Sequence, residues 1–329
     1  MNDRMLAWFQ ERPNEYISGE QISRELNISR TAVWKQINRL RTKGYEFEAA
    51  PKLGYRLVQQ PTKLDEISLL KLLKTERFGR QIRMLSTTES TQNEAYHWAE
   101  SGASEGALVI AEEQTAGRGR RGRPWYSPPG KGIWMSMVMK PLIPLQFTPH
   151  LTLLTAVAVC RAIKRITAVN IGIKWPNDLL IEKRKVCGIL LESVAEDERL
   201  ISVIAGIGID VNIDASDYPD SLLDIATSLK RETGQEVDRA AVIAEIMYEW
   251  EQLYQLYEEQ GFGPIRTLWE ANSIMVGRQV NIQSPYGEVS GTAQGLDDSG
   301  ALIVVGAGGV YQKVFSGDIQ FSDESKDII

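Results

Sequence analysis

The sequence predicts a multidomain α+β protein with an N-terminal helical unit, a central mixed α/β unit and a small C-terminal β-barrel. Helix-period apolar spacing dominates residues 1–43, helix and strand patterns alternate from Leu64 to Glu259, and short alternating runs cut by glycine turns fill 277–321. At 329 residues the chain has room for two or three domains, each with a core of its own. The composition shifts place the boundaries at 1–62, 63–271 and 272–329.

Taken in order, Met5, Leu6 and Phe9 predict a first short helix that ends by Pro13. Ser18 caps a second helix through Leu26, with Gln21 completing a capping box. Asn27-Ile28-Ser29 supplies a turn, and Ser29 caps a third helix over 30–43. There Val33, Ile37 and Leu40 face inward, leaving Thr31, Trp34, Lys35, Asn38 and Arg39 outward. Between Ile28 and Tyr45 stand five Lys/Arg and no acid, the pattern of a helix-turn-helix whose last helix enters the DNA major groove. Tyr45 to Val58 reads as two strands around Pro51–Tyr55. Three helices and a hairpin resemble a winged helix-turn-helix, which makes Ser29, Arg30, Thr31, Trp34, Lys35, Asn38, Arg39, Lys52 and Arg56 candidate DNA contacts. The same pattern also fits a three-helix packing or dimerisation module with a solvated basic face. Residues 59–63 read as a linker.

The central unit starts with a helix over 65–74 and a strand over 83–86. A helix over 94–101 follows, with Ser90 or Thr91 as its N-cap; such a terminus is also a place to hold a polar ligand group. Strands over 107–111 and 132–140 flank a charged loop, and Thr148 to Thr167 forms a long apolar helix. Ile171 to Glu192 makes a hairpin that puts Lys174 and Lys185 on apolar strands, either as functional cations or as side chains snorkelling to an edge. Ser202 to Val211 is a strand interrupted by Gly206 and Gly208, a sign of a bulge or of close approach by a ligand. An amphipathic helix over 238–259 closes the unit, and Gly306 to Gly309 reads as a hairpin turn because no helix follows it.

The net charge of −6 hides an asymmetry: residues 1–60 hold ten Lys/Arg against seven Asp/Glu, a balance of +3, and the remainder is near −9. The basic end fits nucleic acid, whereas the acidic bulk argues against general polyanion binding. Two histidines disfavour a histidine-centred or zinc mechanism, and Cys160 and Cys187 lack metal-ligand spacing and read as reduced, partly buried thiols. With no stretch of membrane length and no apolar leader, the expected location is the cytoplasm, away from membranes.

The loop between the two core strands reads Gly117-Arg-Gly-Arg-Arg-Gly-Arg-Pro-Trp125. Its glycines allow close backbone approach and its guanidinium forks match phosphate or carboxylate oxygens, so it is a candidate anion clamp rather than a solvated tail. Nothing in the segment neutralises its arginines, so it is expected to be mobile when empty and ordered by a bound anion.

Three motifs occur in sequence: this loop, then Lys174-Trp-Pro-Asn-Asp178, then Lys185-Val-Cys-Gly-Ile-Leu-Leu-Glu192. Together they resemble the biotin protein ligases, and with the N-terminal winged helix the chain resembles the bifunctional ligase and biotin-operon repressors across essentially its whole length. The resemblance implies a class II synthetase-like ligase domain and an SH3-like C-terminal barrel. It implies ATP-dependent formation of biotinyl-AMP with Mg²⁺, transfer of biotin to a lysine of a carboxylase's biotin carrier domain, and biotinyl-AMP as co-repressor on the operator DNA of the biotin genes, bound by an adenylate-loaded homodimer. Ser90, Thr91 and Gln92 match the family's biotin-contacting Ser-Thr-Asn, Gln replacing Asn with a longer amide. Gln114 is then expected at the biotin rings, and Arg118, Gly119 and Arg120 between the biotin carboxylate and the phosphates. Arg121 and Arg123 are expected toward pyrophosphate or carrier, Trp125 on adenine, Lys185 at the acyl phosphate, and Lys174, Asn177, Asp178 and Asn212 at ATP. Arg118, Arg120 and Lys185 carry the catalytic expectation. Competing readings are a sensor-only transcription regulator and a lipoate or octanoate transferase of the same fold.

Overall fold

The computed structural model describes residues 5, 6, 8, 9, 11, 12, 15–41, 45–59, 64–196 and 199–321. The linker expected at 59–63 and the end of the third helix at 42–43 therefore lie almost wholly outside the described residues.

The N-terminal unit forms as its sequence dictates. Ser18 caps the helix Gly19–Leu26 with the full capping box, and Asn27 ends it in the left-handed region at φ 53°. The next helix, Arg30–Arg41, buries Val33, Ile37 and Leu40. An antiparallel pair follows, β1 (Glu46–Ala50) and β2 (Gly54–Gln59). Met5, Phe9, Ile17, Ile22 and Phe47 join those helical residues in a separate small core, with Phe9 and Phe47 edge to face at 5.1 Å.

The central sheet has seven strands in the order β3-β4-β5-β9-β8-β7-β6. They are β3 (Ile82–Leu85), β4 (Leu108–Ala111), β5 (Gly132–Met139), β6 (Ile171–Lys174), β7 (Asp178–Ile181), β8 (Arg184–Glu196) and β9 (Arg199–Asp210). Only β3 and β4 run parallel; the other neighbours are antiparallel. The period-2 alternation separates the two faces. Val203, Ala205, Ile207 and Ile209 of β9 enter the main core with Met135 and Met137 of β5, beneath the helices Thr148–Thr167 and Arg239–Gln260. The alternate residues of β9 point to the other face, where Ile204 packs with Ala95 of the helix Thr91–Glu100 and Gly206, Gly208 and Asp210 line a cavity. The sheet is thus dense on one side and hollowed on the other.

The C-terminal strands β10 (Gln279–Ser284), β11 (Gly287–Leu296), β12 (Leu302–Val305), β13 (Tyr311–Val314) and β14 (Asp318–Phe321) form an antiparallel sheet in the order β13-β12-β11-β10-β14. Five antiparallel strands agree with the expected small all-β unit, and β13 and β14 stand at the two edges of the sheet. Their apolar side chains, Val280, Ile282, Leu302 and Val304 among them, are continuous with the main core rather than forming a core of their own, because so small a sheet buries too little apolar area alone. His150 helps to weld the junction: its ring stacks on Phe262 at 3.8 Å, and its nitrogens contact Tyr257 Oη at 3.0 Å and the Asp298 carbonyl at 2.9 Å. Burial lowers its pKa, consistent with a neutral structural ring.

Candidate active site

The hollow side of the sheet is a cavity of about 560 Å³. Every ligand residue expected from the sequence lines it except Asn212. Three segments distant in sequence converge there: the N-terminus of the helix at Ser90–Gln92, the loop from Gln114 to Trp125, and the hairpin from Lys174 to Lys185.

At one end Ser90 caps the helix Thr91–Glu100, its Oγ accepting from Gln92 N at 3.3 Å. Gln114 Oε1 accepts from Thr91 N at 2.9 Å, and Gln114 Nε2 donates to Ser127 Oγ at 3.0 Å, so the amide is held at the cavity wall. Gln92 lines the cavity and is also anchored by the protein. Its Nε2 donates to the carbonyls of Leu190 and Ile204, and its Oε1 accepts from Ser136 Oγ at 2.8 Å. Both ends of the amide are used by the protein, and the longer side chain serves the cavity floor. Gly206 makes room for it, since a β-carbon there would fall 2.7 Å from Gln92 Oε1.

The arginine loop is a small hairpin closed by Gly119 N to Arg123 O and Trp125 N to Gly117 O, both at 2.8 Å, with Arg121 in the left-handed region at φ 57°. Residues outside the loop contact all four of its guanidinium groups. Arg118 contacts Asn93 Oδ1 at 2.7 Å and Glu192 at 2.9 Å. Arg120 donates to Asn177 Oδ1 and to Ser316 Oγ, each at 3.1 Å. Arg121 and Arg123 share Asp318, at 3.2 Å in the first case. Burial, with Arg121 alongside, lowers the pKa of Arg120, which leaves a poorly solvated cation ready for an anion.

Across the cavity Lys185 Nζ lies 2.6 Å from Asp178 Oδ1 and 5.1 Å from the Trp125 ring centroid. Lys174 faces the Phe321 ring at 5.6 Å. Asn177 donates to the Ile189 carbonyl at 2.7 Å, which orients its oxygen toward Arg120. Asn212 belongs elsewhere. Its amide clamps Val237 N and O at 3.0 Å each, outside the cavity, because it sits past the end of β9 and its backbone N already bonds Lys131 O.

Several cavity residues were not foreseen. Asp210 is buried, accepts from Tyr218 Oη at 2.9 Å, and has its pKa pushed up to about 8 by burial. It continues the Gly206, Gly208 alternation, a register signal that could have found it. Asp318 and Phe321 on β14 carry no local signal at all, since only the docking of the C-terminal sheet brings them to the cavity.

On the N-terminal unit, Ser29, Arg30, Thr31, Lys35, Arg39 and Lys52 are exposed, as is Trp34 at 54%, and Asn38 is half-buried. Arg56 does not project freely: it pairs with Glu48 and lies 4.8 Å over the Tyr16 ring. Arg30 likewise reaches Glu20 at 2.7 Å.

Architecture and site together define a two-part protein, a helix-turn-helix unit joined to an enzyme-like cavity lined with cations and hydrogen-bonding groups. Comparison with known proteins narrows this. The model of the biotin/lipoate A/B protein ligase family matches residues 84–210, an HTH domain model matches 3–56, and the biotin protein ligase C terminal domain model matches 276–322. The bifunctional ligase/repressor BirA of Bacillus subtilis (strain 168) is 46% identical over 316 residues, covering 96% of this chain and 97% of that protein. The protein of the same name from Escherichia coli (strain K12) is 29% identical over 317 residues, covering 95% of each. A solved structure, the biotin protein ligase from Aquifex aeolicus in complex with biotin and ATP, superposes with a TM-score of 0.65 at 28% identity, over 74% of this chain and 100% of that one. The chain belongs to the biotin protein ligase family, in the branch that carries an N-terminal helix-turn-helix domain.

Proposed function

We propose that this protein activates biotin with ATP, transfers it to a lysine of a biotin carrier domain, and represses the biotin operon when loaded with biotinyl-AMP. The observation that carries the reading is the convergence of Ser90–Gln92, the arginine loop and Lys174–Lys185 on one cavity. The parts divide naturally, with boundaries after residues 62 and 271.

Thr91 and Gln114 present hydroxyl and amide groups to the polar biotin rings. Arg118 and Arg120 receive the biotin carboxylate and the α-phosphate, holding two anions in reach of each other. A carboxylate oxygen then attacks the α-phosphorus, the bond to the β-phosphate oxygen breaks, and pyrophosphate leaves. Lys185 stabilises charge on the new acyl phosphate, and Asp178 holds its ammonium until then. In the second step the carrier lysine, as the free amine, attacks the acyl carbon, loses a proton and displaces AMP.

Mg²⁺ fits these residues only as a phosphate-bound ion. No group of three or more potential ligands occurs among the described residues; of the cavity carboxylates Asp178, Asp210 and Asp318, Asp178 beside Lys185 is the one that would share the ion with the phosphates. The ion would supply charge neutralisation on the phosphates.

Two adenylate-loaded copies pairing would let two helices 30–41 span a palindromic operator. The cytoplasm suits both tasks: Cys160 and Cys187 are buried free thiols, and no helix of the described residues is long and apolar enough to cross a membrane.

ATP–pyrophosphate exchange with and without biotin tests the first step. Biotin-dependent exchange is expected; exchange that ignores biotin, or none, would turn the reading toward a sensor-only regulator. Replacing biotin by lipoate or octanoate separates the related transferases.

A further inference from the structure

At the Ser90–Gln92 end of the cavity, three adjacent strands carry one row of residues toward the hollow face: Ser136 of β5, Gly206 of β9 and Leu190 of β8, paired in that order. Gly206 leaves a gap in the row, and the amide of Gln92 fills it from the helix above, where a β-carbon on Gly206 would fall 2.7 Å from Gln92 Oε1. Thr91, Gln92 and Ser136 are all buried, so each of their polar atoms needs a partner.

These groups form one hydrogen-bonded chain whose direction is fixed at its far end. The carbonyls of Leu190 and Ile204, at 3.2 and 3.1 Å, can only accept, so Gln92 must turn Nε2 to them and Oε1 to Ser136. Oε1 can only accept as well, and at 2.8 Å it takes the hydroxyl proton of Ser136. Ser136 Oγ is then an acceptor for Thr91 Oγ1, also at 2.8 Å. On its other side Thr91 Oγ1 lies 3.2 Å from Gln114 Oε1, a second acceptor, which the Thr91 N–H already serves at 2.9 Å. Thr91 has one hydroxyl proton and two protein acceptors for it. Whichever takes it, the proton points into the protein, and the oxygen offers the cavity only lone pairs.

We infer that Ser136 and Gln92 are positioning residues that make Thr91 an obligate hydrogen-bond acceptor, so that this end of the cavity selects a ligand by a ring N–H and rejects an acyl chain without one. The inference rests on the proposed function for biotin as the ligand, whose ureido ring carries two such N–H groups, and it adds the source of the selectivity. A lipoyl or octanoyl chain has no donor to place there. It would leave a buried oxygen unpaired, which is how a hydrogen-bonding site excludes an apolar competitor. Both residues act through Thr91, and neither takes part in the transfer chemistry.

The test compares biotin with its two cyclic carbamate analogues, in which an oxygen replaces one or the other ring N–H. Dissociation constants are measured by calorimetry on the unmodified, Ser136→Ala and Gln92→Met proteins, each checked for folding by circular dichroism. The unmodified protein should bind biotin about a hundredfold more tightly than the analogue that turns its ring oxygen to Thr91. Ser136→Ala leaves Thr91 only the longer contact to Gln114 Oε1, and Gln92→Met lets the Ser136 proton turn to Thr91. In both variants the Thr91 hydroxyl is released to donate to the ring oxygen, and the ratio should fall to about tenfold or less. A merely structural role would weaken biotin and analogue alike, so an unchanged ratio in the folded variants overturns the inference. If one variant does not fold the other decides, and equal binding of biotin and both analogues by the unmodified protein overturns the inference without either. Failure of the unmodified protein to bind biotin overturns the proposed function and this inference with it, whereas discrimination that survives both substitutions overturns the inference alone.

Discussion

Asp210 ends β9 at the cavity wall with its carboxyl bonded by Tyr218, and burial pushes its pKa up to about 8. In the unfolded chain the same group ionises near pH 4. Between those values the unfolded state has lost a proton that the native state keeps, so folding stability falls as pH rises from about 4 to about 8 and levels off above. Asp210→Asn keeps the shape and removes the titration. It should raise stability at pH 8.5 by a few kcal/mol, on the order of 2–4, with the gain shrinking toward pH 4. Urea melts of both proteins at pH 4.5, 6.5 and 8.5 measure it; a gain that does not vary with pH would mean that Asp210 is ionised in the fold. The sequence marks Asp210 only as a residue near the end of a strand, since a raised pKa comes from burial under segments that the chain order does not bring together; the hydrogen bond from Tyr218 acts against the shift without cancelling it. Gln92 teaches the same lesson in reverse. Its place in a ligand motif was legible, but its commitment to Ser136, Leu190 and Ile204 depends on three strands meeting.

The arginine loop is an element whose chemistry is local in sequence and whose partners are not. Its charge and glycine spacing are local, and they identify the clamp. Its contacts are with Glu192, Asn177, Ser316 and Asp318, up to nearly two hundred residues away in sequence. Arg121 and Arg123 meet Asp318 near the surface, where such pairs contribute about 0–1 kcal/mol. Asp318→Asn should therefore raise local opening modestly, and limited trypsin cleavage within residues 118–121 should speed up by about two- to fivefold. Equal cleavage rates would assign the loop's order to its two backbone bonds alone. Other elements were legible where the signal was local: the capping box at Ser18 and the helix Thr148–Thr167 follow the expected bounds. The helix Phe262–Asn272 was not foreseen; its Pro264 is tolerated in the first turn, where its missing N–H has no intrahelical partner to lose.

At the scale of the molecule, a basic N-terminal unit with its own core is attached to an acidic ligase body, and the two meet at Lys230 and Glu46, 3.8 Å apart. The division separates DNA contact from catalysis in space. Lys35→Ala, on the exposed face of the Arg30–Arg41 helix, should weaken operator binding by about tenfold and reduce the salt slope by about one, while pyrophosphate exchange is unchanged. Electrophoretic shifts over a salt series, run beside exchange assays, check both halves; equal loss of both activities would contradict the separation. The order of the three units, most of their helices and strands and the motifs that carry the chemistry were determined by sequence alone, because periodicity, capping and charge pattern act over a few residues. The tertiary structure decided the rest: which face of the sheet is hollow, that Asn212 clamps Val237 instead of lining the cavity, that Arg56 is spent on Glu48, and that β14 brings Asp318 to the arginine loop. These outcomes are set by packing between segments far apart in the chain, where side-chain partners are chosen by the geometry of the sheet rather than by neighbours in sequence.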